Sequence, residues 1–334
     1  MSLMVIKAFR DLFKYEISCD DKEIQRVNEH LQQFMGQLHE LSHATESLPW
    51  LYADNWATVG DYGRNTHTKP IKNIDVLVCM GWKSKALQYN TDTYAVYAGD
   101  ESGRFVHMRD DKNQLDPHLI SRRFAEQLET FNNAKGVAVA ANGGVTFREK
   151  GYLWVYNVRP AFFLKEEDTE EVFYLVPNGK NNWKPIFPLQ QAARLDLVNQ
   201  AHGGFMIDLI RYMKHWNREQ IIPKIPAPLL EAIVFKYCEN KVKKLTEFAD
   251  LDIAGALQAI RHGILEECVD PIGARGDLNS MVMSARQKVS SQAFSDQLKA
   301  QSARLFEQNG DYARSIDKWS EVFGYEFKKH ALKY

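Results

Sequence analysis

Two segments of the sequence place polar residues at spacings that suit chemistry. In the first, Asn73 and Asp75 stand two residues apart at the start of an apolar run that ends at Met80. On a β-strand both side chains point to one face. Gly60 and Asp61 precede them in a polar turn, and glycine-turn N–H groups that face a carboxylate-bearing strand can hold a phosphate chain bridged by Mg²⁺. A hairpin with a solvated face explains the same segment equally well.

The second segment is the string HELSH at residues 39–43, which matches the HExxH pattern on a predicted helix. Two imidazoles four residues apart share one helix face and can bind Zn²⁺, while the glutamate between them activates water. No further histidine follows at the longer metzincin spacing, and the chain turns at Pro49 into predicted strands. Two histidines on the polar flank of an amphipathic helix are the simpler interpretation, and a zinc peptidase is the remote alternative.

The elements that must position these residues follow from the spacing of apolar side chains. Before Pro188 the sequence predicts two helices, at 20–48 and 119–132, and short strands at 56–60, 75–80, 137–141, 145–147, 152–158 and 173–176. After Pro188 helical periods dominate, over 190–216, 228–244, 252–268, 279–307 and 312–323. An α/β half is therefore followed by a nearly all-α half, with a boundary near residue 190.

Composition excludes several classes of protein. The 334 residues include 42 basic and 43 acidic side chains, so the chain is not a polycation that coats nucleic acid, although a local basic groove is compatible with this balance. No apolar run approaches the ~18 residues of a membrane-spanning helix. The four cysteines form no CxxC pair, which indicates a reducing compartment. The N-terminal segment is amphipathic and interrupted by charge, so we expect no secretion signal and a cytoplasmic protein with two lobes.

The stretch VGDYGRNTHTKPIKNIDVLV at residues 59–78 resembles the signature of the DNA-polymerase-β-like nucleotidyltransferases. The residues of this motif are most similar to those of the bacterial cyclic-oligonucleotide synthases of the SMODS or CD-NTase family, which are relatives of oligoadenylate synthase. Residues 156–161 are similar to the strand that bears the family's third aspartate, and residues 209–217 resemble the helix whose lysine, Lys214 here, reaches the triphosphate. The resemblance spans most of residues 20–327 in order.

This resemblance implies an α+β fold. A polymerase-β-like nucleotidyltransferase palm with a mixed sheet would occupy residues 1–190, and an α-helical lobe over 191–334 would close the nucleotide cleft. Intact family members join NTPs into cyclic di- or trinucleotide second messengers of antiphage signalling, using Mg²⁺ or Mn²⁺ held by three carboxylates. The carried-over positions are Asn73, Asp75 and Asn157 as catalytic residues, Gly60, Asp61 and Lys214 as nucleotide-binding residues, and Asp75 as the metal ligand.

The sequence departs from the family pattern at the positions that carry charge. Asn73 and Asn157 stand where the family has its first and third aspartates, Asp61 where it has serine, and Asn65 where it has glycine. One extra charge at ~4 Å from a phosphate costs roughly 4 kcal/mol at an effective dielectric constant of ~20. These changes predict impaired catalysis, unless Asp61 joins Asp75 as a metal ligand.

Two questions stay open at this stage. One is the function, because a non-catalytic binder of nucleotide, RNA or protein is the alternative to a weakened enzyme. The other is the origin of the two asparagines, which are either introduced substitutions or natural divergence. Asp61 and Asn65 favour divergence, since neither is an obvious change to introduce.

Overall fold

The computed structural model describes residues 3–54, 56–81, 84–90, 93–98, 103–130, 136–165, 171–220, 223–270 and 276–333. It divides the chain into two compact units. The palm unit contains Asp21–Arg64 and Ile71–Leu189, and the helical unit contains Met1–Asp20, Asn65–Pro70 and Gln190–Tyr334. The predicted boundary near residue 190 coincides with the last of these segments. The predicted 1–190 domain differs from this division, because the first 20 residues and Asn65–Pro70 lie in the helical unit.

The N-terminal helix explains part of this difference. Helix α1 (Leu3–Leu12) buries Val5, Ala8, Phe9 and Leu12 along one face. The ring of Phe9 packs edge-on against Trp319 and Phe327, with centroids 5.0 and 4.8 Å apart. The apolar side of α1 is therefore part of the core of the helical unit.

A nine-stranded mixed sheet forms the palm unit. Its strands are β1 (Ala57–Val59), β2 (Asn73–Cys79), β3 (Ser84–Asn90), β4 (Thr93–Ala98), β5 (Gly136–Ala141), β6 (Gly144–Glu149), β7 (Val155–Lys165), β8 (Val172–Pro177) and β9 (Trp183–Ile186). The order is β1-β2-β7-β8-β9-β4-β3, with β6 paired to β7 and β5 to β6. β2 and β7 run parallel, and the other pairs are antiparallel. The predicted mixed sheet is confirmed.

Helix α2 (Asp21–Ala44) covers one face of this sheet. Its buried side chains include Val27, Leu31, Phe34 and Leu38, at the spacing that predicted a helix over 20–48. Phe34 stacks on Tyr156 of β7, with ring centroids 4.3 Å apart. The palm unit also contains the short α3 (Gly60–Gly63) and α4 (Pro117–Thr130), the helix predicted at 119–132. Residues 131 and 132 of that prediction lie outside the described residues.

The helical unit is built around one large apolar core. Its later helices are α5 (Pro188–Ala201), α6 (Phe205–Glu219), α7 (Ala227–Glu239), α8 (Ile253–Gly263), α9 (Met283–Gln308), α10 (Tyr312–Phe323) and α11 (Tyr325–Ala331). The helical stretch predicted at 190–216 is two helices, because Gly203 and Gly204 adopt φ of 67° and 90° between them. None of the described helices is both long enough and apolar enough to span a bilayer.

Three strands were absent from the sequence prediction, namely β3, β4 and β9. In β9 the reason is physical, since Pro185 cannot donate to a strand ladder and argues against a strand in the sequence. The structure still pairs Pro185 with Leu175 of β8. A proline is compatible with a sheet at a position where its missing N–H is not required.

Phe9→Ala is expected to destabilise the helical unit. The buried ring contacts aromatic residues from three helices, and removing it leaves a cavity that costs about 3–5 kcal/mol of unfolding free energy. Denaturant unfolding measures the loss. Leu3→Ala on the same helix is the control, because Leu3 is 65% exposed. Equal effects of the two substitutions would contradict the packing described here.

Candidate functional site

The parallel pairing of β2 with β7 brings two of the predicted catalytic positions together. Asp75 is directly opposite Asn157, and Nδ2 of Asn157 donates to Oδ1 of Asp75 at 2.9 Å. On the next strand Thr146 is opposite Asn157, and its hydroxyl donates to Oδ1 of Asn157 at 3.0 Å. We call these three residues the polar row. Asn73 is exposed and lies on the same face of β2, two residues before Asp75.

The predicted nucleotide-binding glycine lies against the polar row. Gly60 directly follows Val59, the residue of β1 that pairs with Asp75. Its φ is 67°, and a Cβ at this position would overlap Oδ2 of Asp75. Both facts require glycine. Asp61 follows as a half-buried residue in α3, so the structure places both predicted positions beside the start of β2.

A buried network on the opposite face fixes the strand that carries Asn157. The hydroxyl of Tyr156 accepts from Nε1 of Trp154 at 3.1 Å and lies 2.6 Å from Nδ1 of His30. Nε2 of His30 is 3.1 Å from Glu149. Burial lowers the pKa of His30, and the nearby Glu149 carboxylate acts in the opposite direction. Burial raises the pKa of Tyr156. Sequence analysis missed this network, although His30 shares the helix face of the buried Val27 and Phe34.

Lys214 belongs to the helical unit, where its ammonium group is enclosed. Its Nζ lies 2.6 Å from Oε1 of Glu231, and it donates to the carbonyl and hydroxyl oxygens of Thr66 at 2.9 and 3.2 Å. The hydroxyl of Thr66 donates to Glu231 at 2.8 Å. The side chains of Lys214 and Glu231 are only 9% and 2% exposed. We call these three residues the lysine cluster; any contact of Lys214 with a phosphate must compete with it.

The asparagine found where the family has glycine is accommodated by its backbone. Asn65 adopts φ of 55°, a left-handed conformation that asparagine tolerates better than most residues. Its carbonyl oxygen and Oδ1 accept hydrogen bonds from Nη2 of Arg211 at 2.8 and 2.9 Å. Replacement of glycine at this position is therefore compatible with the same turn.

Without Asp61, the polar row does not supply the charge that a pair of Mg²⁺ ions requires. It contains one carboxylate, Asp75, and one of its oxygens already accepts the Asn157 amide. An amide oxygen can ligate Mg²⁺ but brings no negative charge. In the described parts of the chain, one group of three potential ligands has its ligand atoms mutually within 4.8 Å, and it lies in the helical unit: Glu16, Glu326 and His330.

Among the described residues, the HExxH segment gains no third ligand. The rings of His39 and His43 lie 4.5 Å apart on α2, so the two histidines share a face as expected. No described cysteine, histidine or carboxylate joins them in a group of three. His43 instead lies nearly parallel to Trp50, with ring centroids 6.4 Å apart. A zinc peptidase receives no support from this geometry.

Comparison with known proteins agrees with this architecture. No family model matches the sequence. A Bacillus cereus (strain VD146) protein named "Probable cyclic nucleotide synthase" is 24% identical over 325 residues, which cover 97% of each chain.

Solved structures show the same fold. CdnC of Escherichia coli MS115-1 with ATP matches with a TM-score of 0.68 at 14% identity, covering 96% of this chain and 98% of CdnC. The DncV cyclic AMP-GMP synthase of Vibrio cholerae matches with a TM-score of 0.66 at 11% identity, covering 99% of this chain and 98% of DncV. The resemblance to the CD-NTases is confirmed, as is their polymerase-β-like fold with a helical C-terminal lobe.

Lys214→Met is expected to lower the unfolding free energy by about 3–5 kcal/mol, because the buried Glu231 would lose the ammonium group that lies 2.6 Å from it. Lys214→Met/Glu231→Met should recover most of that loss, since no buried charge then remains. Chemical denaturation of both variants measures the difference. Lys318→Met, which removes an exposed pair with Glu321, is the control and should change little. Equal losses in the single and double variants would argue against the lysine cluster.

Gly60→Ala is expected to destabilise the palm unit by about 1–3 kcal/mol, because alanine is strained at positive φ and its Cβ displaces the Asp75 carboxylate. Gly36→Ala in α2 is the matched control, since nothing outside the backbone of its own helix lies within 4 Å of the added Cβ. The control should leave stability unchanged or raise it. Thermal unfolding compares the two variants, and similar melting temperatures would show that Gly60 has no special role.

Proposed function

We propose that this CD-NTase-like protein binds a nucleotide at the palm unit and forms phosphodiester products slowly or not at all. The observation that carries the proposal is the hydrogen bond from Nδ2 of Asn157 to Oδ1 of Asp75. Two carboxylates at these opposed positions would repel one another unless a cation lay between them. An amide and a carboxylate satisfy one another directly. The site is therefore stable without the metal charge on which the family reaction depends.

The charges around the polar row support the same conclusion. Arg148 follows Thr146 by two residues on β6, so both side chains point to the same face of the sheet. Arg159 follows Asn157 by two residues on β7 and shares that residue's face in the same way. Both arginines are exposed. The pKa of Lys184 is lowered mainly by burial, and in addition by the positive charge of Arg159. Two exposed arginines on the faces of Thr146 and Asn157 favour contact with phosphate oxygens and oppose the approach of two dications, while Asp75 and Asp61 are the carboxylates beside them.

The similar proteins supply the class of ligand. The Bacillus cereus relative is named a cyclic nucleotide synthase, and E. coli CdnC was solved with ATP. We therefore take NTPs as the ligands to test first. CdnC was also solved in a complex with HORMA-deltaN, so a protein partner is a further proposal for this chain. A non-catalytic binding protein is the second candidate, and the bond between Asn157 and Asp75 favours it for the same electrostatic reason.

Restoring the two missing carboxylates tests the proposal. With radiolabelled NTPs and Mg²⁺ or Mn²⁺, Asn73→Asp/Asn157→Asp is expected to form oligonucleotide or cyclic product at least about 10²-fold faster than the unsubstituted protein. The reason is that the added carboxylates supply the negative charge that two dications require. Thin-layer or liquid chromatography of the products gives the rates.

The control variant is Asn113→Asp/Asn142→Asp. It adds the same charge to the palm unit at two turn positions of positive φ, where aspartate is tolerated. Product formation should remain at the level of the unsubstituted protein. Rapid product formation by the unsubstituted protein itself would overturn the proposed impairment. Absence of both product and nucleotide-induced thermal stabilisation from every variant would leave only a protein- or RNA-binding role.

A further inference from the structure

A cavity lies at the end of β2 that is opposite to the polar row. Its volume is about 940 Å³, near the top of the ~300–1,000 Å³ range of small-molecule sites. Gly81 lines it just beyond the end of β2, six residues after Asp75, which corresponds to about 20 Å along an extended chain. Every residue that lines it belongs to the palm unit. The cavity is therefore separate from the polar row.

Aromatic side chains form one wall of this cavity. Trp50 and Tyr52 line it, and they are 54% and 48% exposed although both are large rings. Their backbone is held by two hydrogen bonds to β2 and the residues after it. The N–H of Tyr52 donates to the carbonyl oxygen of Cys79 at 3.0 Å, and the N–H of Gly81 donates to the carbonyl oxygen of Trp50 at 2.6 Å. Gly81 itself leaves room between them, since its Cβ would lie 3.4–3.7 Å from atoms of both residues. The fold thus presents two ring surfaces on a fixed backbone.

Two arginines supply positive charge to the same cavity. Arg104 is fixed at the end of α2, where its Nη1 donates to the carbonyl oxygens of Ser42, Thr45 and Leu48. Its guanidinium also lies 4.9 Å from the centre of the Trp50 ring. Arg123 lines the cavity from α4, and its exposed ion pair with Glu126 is weak in water.

The wall therefore suits an anion that carries a flat ring. Of the described residues that line the cavity, Glu46 alone is acidic, against Arg104 and Arg123. Exposed aromatic rings stack on nucleobases, and arginine forks bind phosphate oxygens. His43, the second histidine of the HExxH segment, lies in this wall. Its place beside Trp50 gives it a ring-stacking environment rather than a metal site.

We propose that this cavity is a second ligand site, which binds a nucleoside monophosphate with the base against Trp50 and Tyr52 and the phosphate at Arg104 and Arg123. The site is independent of the polar row and does not require the proposed function of that row. It would let a nucleotide bind to the palm unit whether or not the protein has catalytic activity.

Calorimetric titration of the full chain with AMP and GMP tests this site. Adenosine lacks the anion and ribose 5-phosphate lacks the ring, so each should bind at least about tenfold more weakly than AMP. Trp50→Ala should weaken the better-binding nucleotide about tenfold or more, and Trp50→Phe should restore most of the affinity because a ring is still present. Arg123→Ala should weaken it about fivefold or more.

The matched control is Arg122→Ala, because Arg122 is the exposed neighbour of Arg123 on α4 and does not line the cavity. It should leave the affinity unchanged. Thermal unfolding of each variant confirms that it is folded, which is expected because Trp50 is half exposed. The proposal is overturned if neither nucleotide binds, if adenosine or ribose 5-phosphate binds as tightly as AMP, or if folded Trp50→Ala and Arg123→Ala bind as the unsubstituted protein does.

Discussion

The parallel pairing of β2 with β7 is the constraint on which the palm unit depends. This single register places Asp75 opposite Asn157 and leaves the next strand to supply Thr146. It also sets the position of Gly60, because β1 pairs with β2 at Asp75. A shift of one residue would turn every one of these side chains to the opposite face. The chemistry of the site is thus a consequence of strand register, and the stacked rings of Phe34 and Tyr156 secure that register from the other face.

Lys214 has two possible roles, as a partner of Glu231 and as a ligand of a phosphate, and the free energies of the two interactions can be compared. A charge-assisted hydrogen bond to a phosphate contributes about 1.5–3 kcal/mol. Removing one partner of a buried ion pair, such as the pair of Lys214 with Glu231, costs about 3–5 kcal/mol. A phosphate that drew Lys214 away would therefore lose more free energy than it gained. Lys214 joins α6 to α7 and to Thr66, and its predicted contact with a nucleotide stays a prediction.

Particular residues show where sequence reasoning succeeded and where it could not. The alternation of Asn73 and Asp75 predicted a shared strand face, because that is a local property with a period of two. The hydrogen bond from Asn157 to Asp75 joins residues 82 positions apart, and no local pattern defines that register. The motif identified Lys214, but its partner Glu231 depends on how α6 and α7 pack. The HExxH pattern likewise could not show whether a third ligand lies nearby, since a third ligand is a tertiary property; none is found among the described residues.

Near the polar row, the two faces of β2 and β7 carry different kinds of residue. On β2 and β7 the even-numbered residues Ile74, Val76, Tyr156 and Val158 are buried to 1% exposure or less. They hold the register through packing and apolar burial, and none of them takes part in the polar row. Asn73, Asp75 and Asn157 stand at odd-numbered positions, and asparagine has nearly the shape of aspartate. A change of aspartate to asparagine at positions 73 and 157 therefore removes negative charge without changing the buried even-numbered side chains. This is why a complete nucleotidyltransferase fold is compatible with an incomplete set of carboxylates.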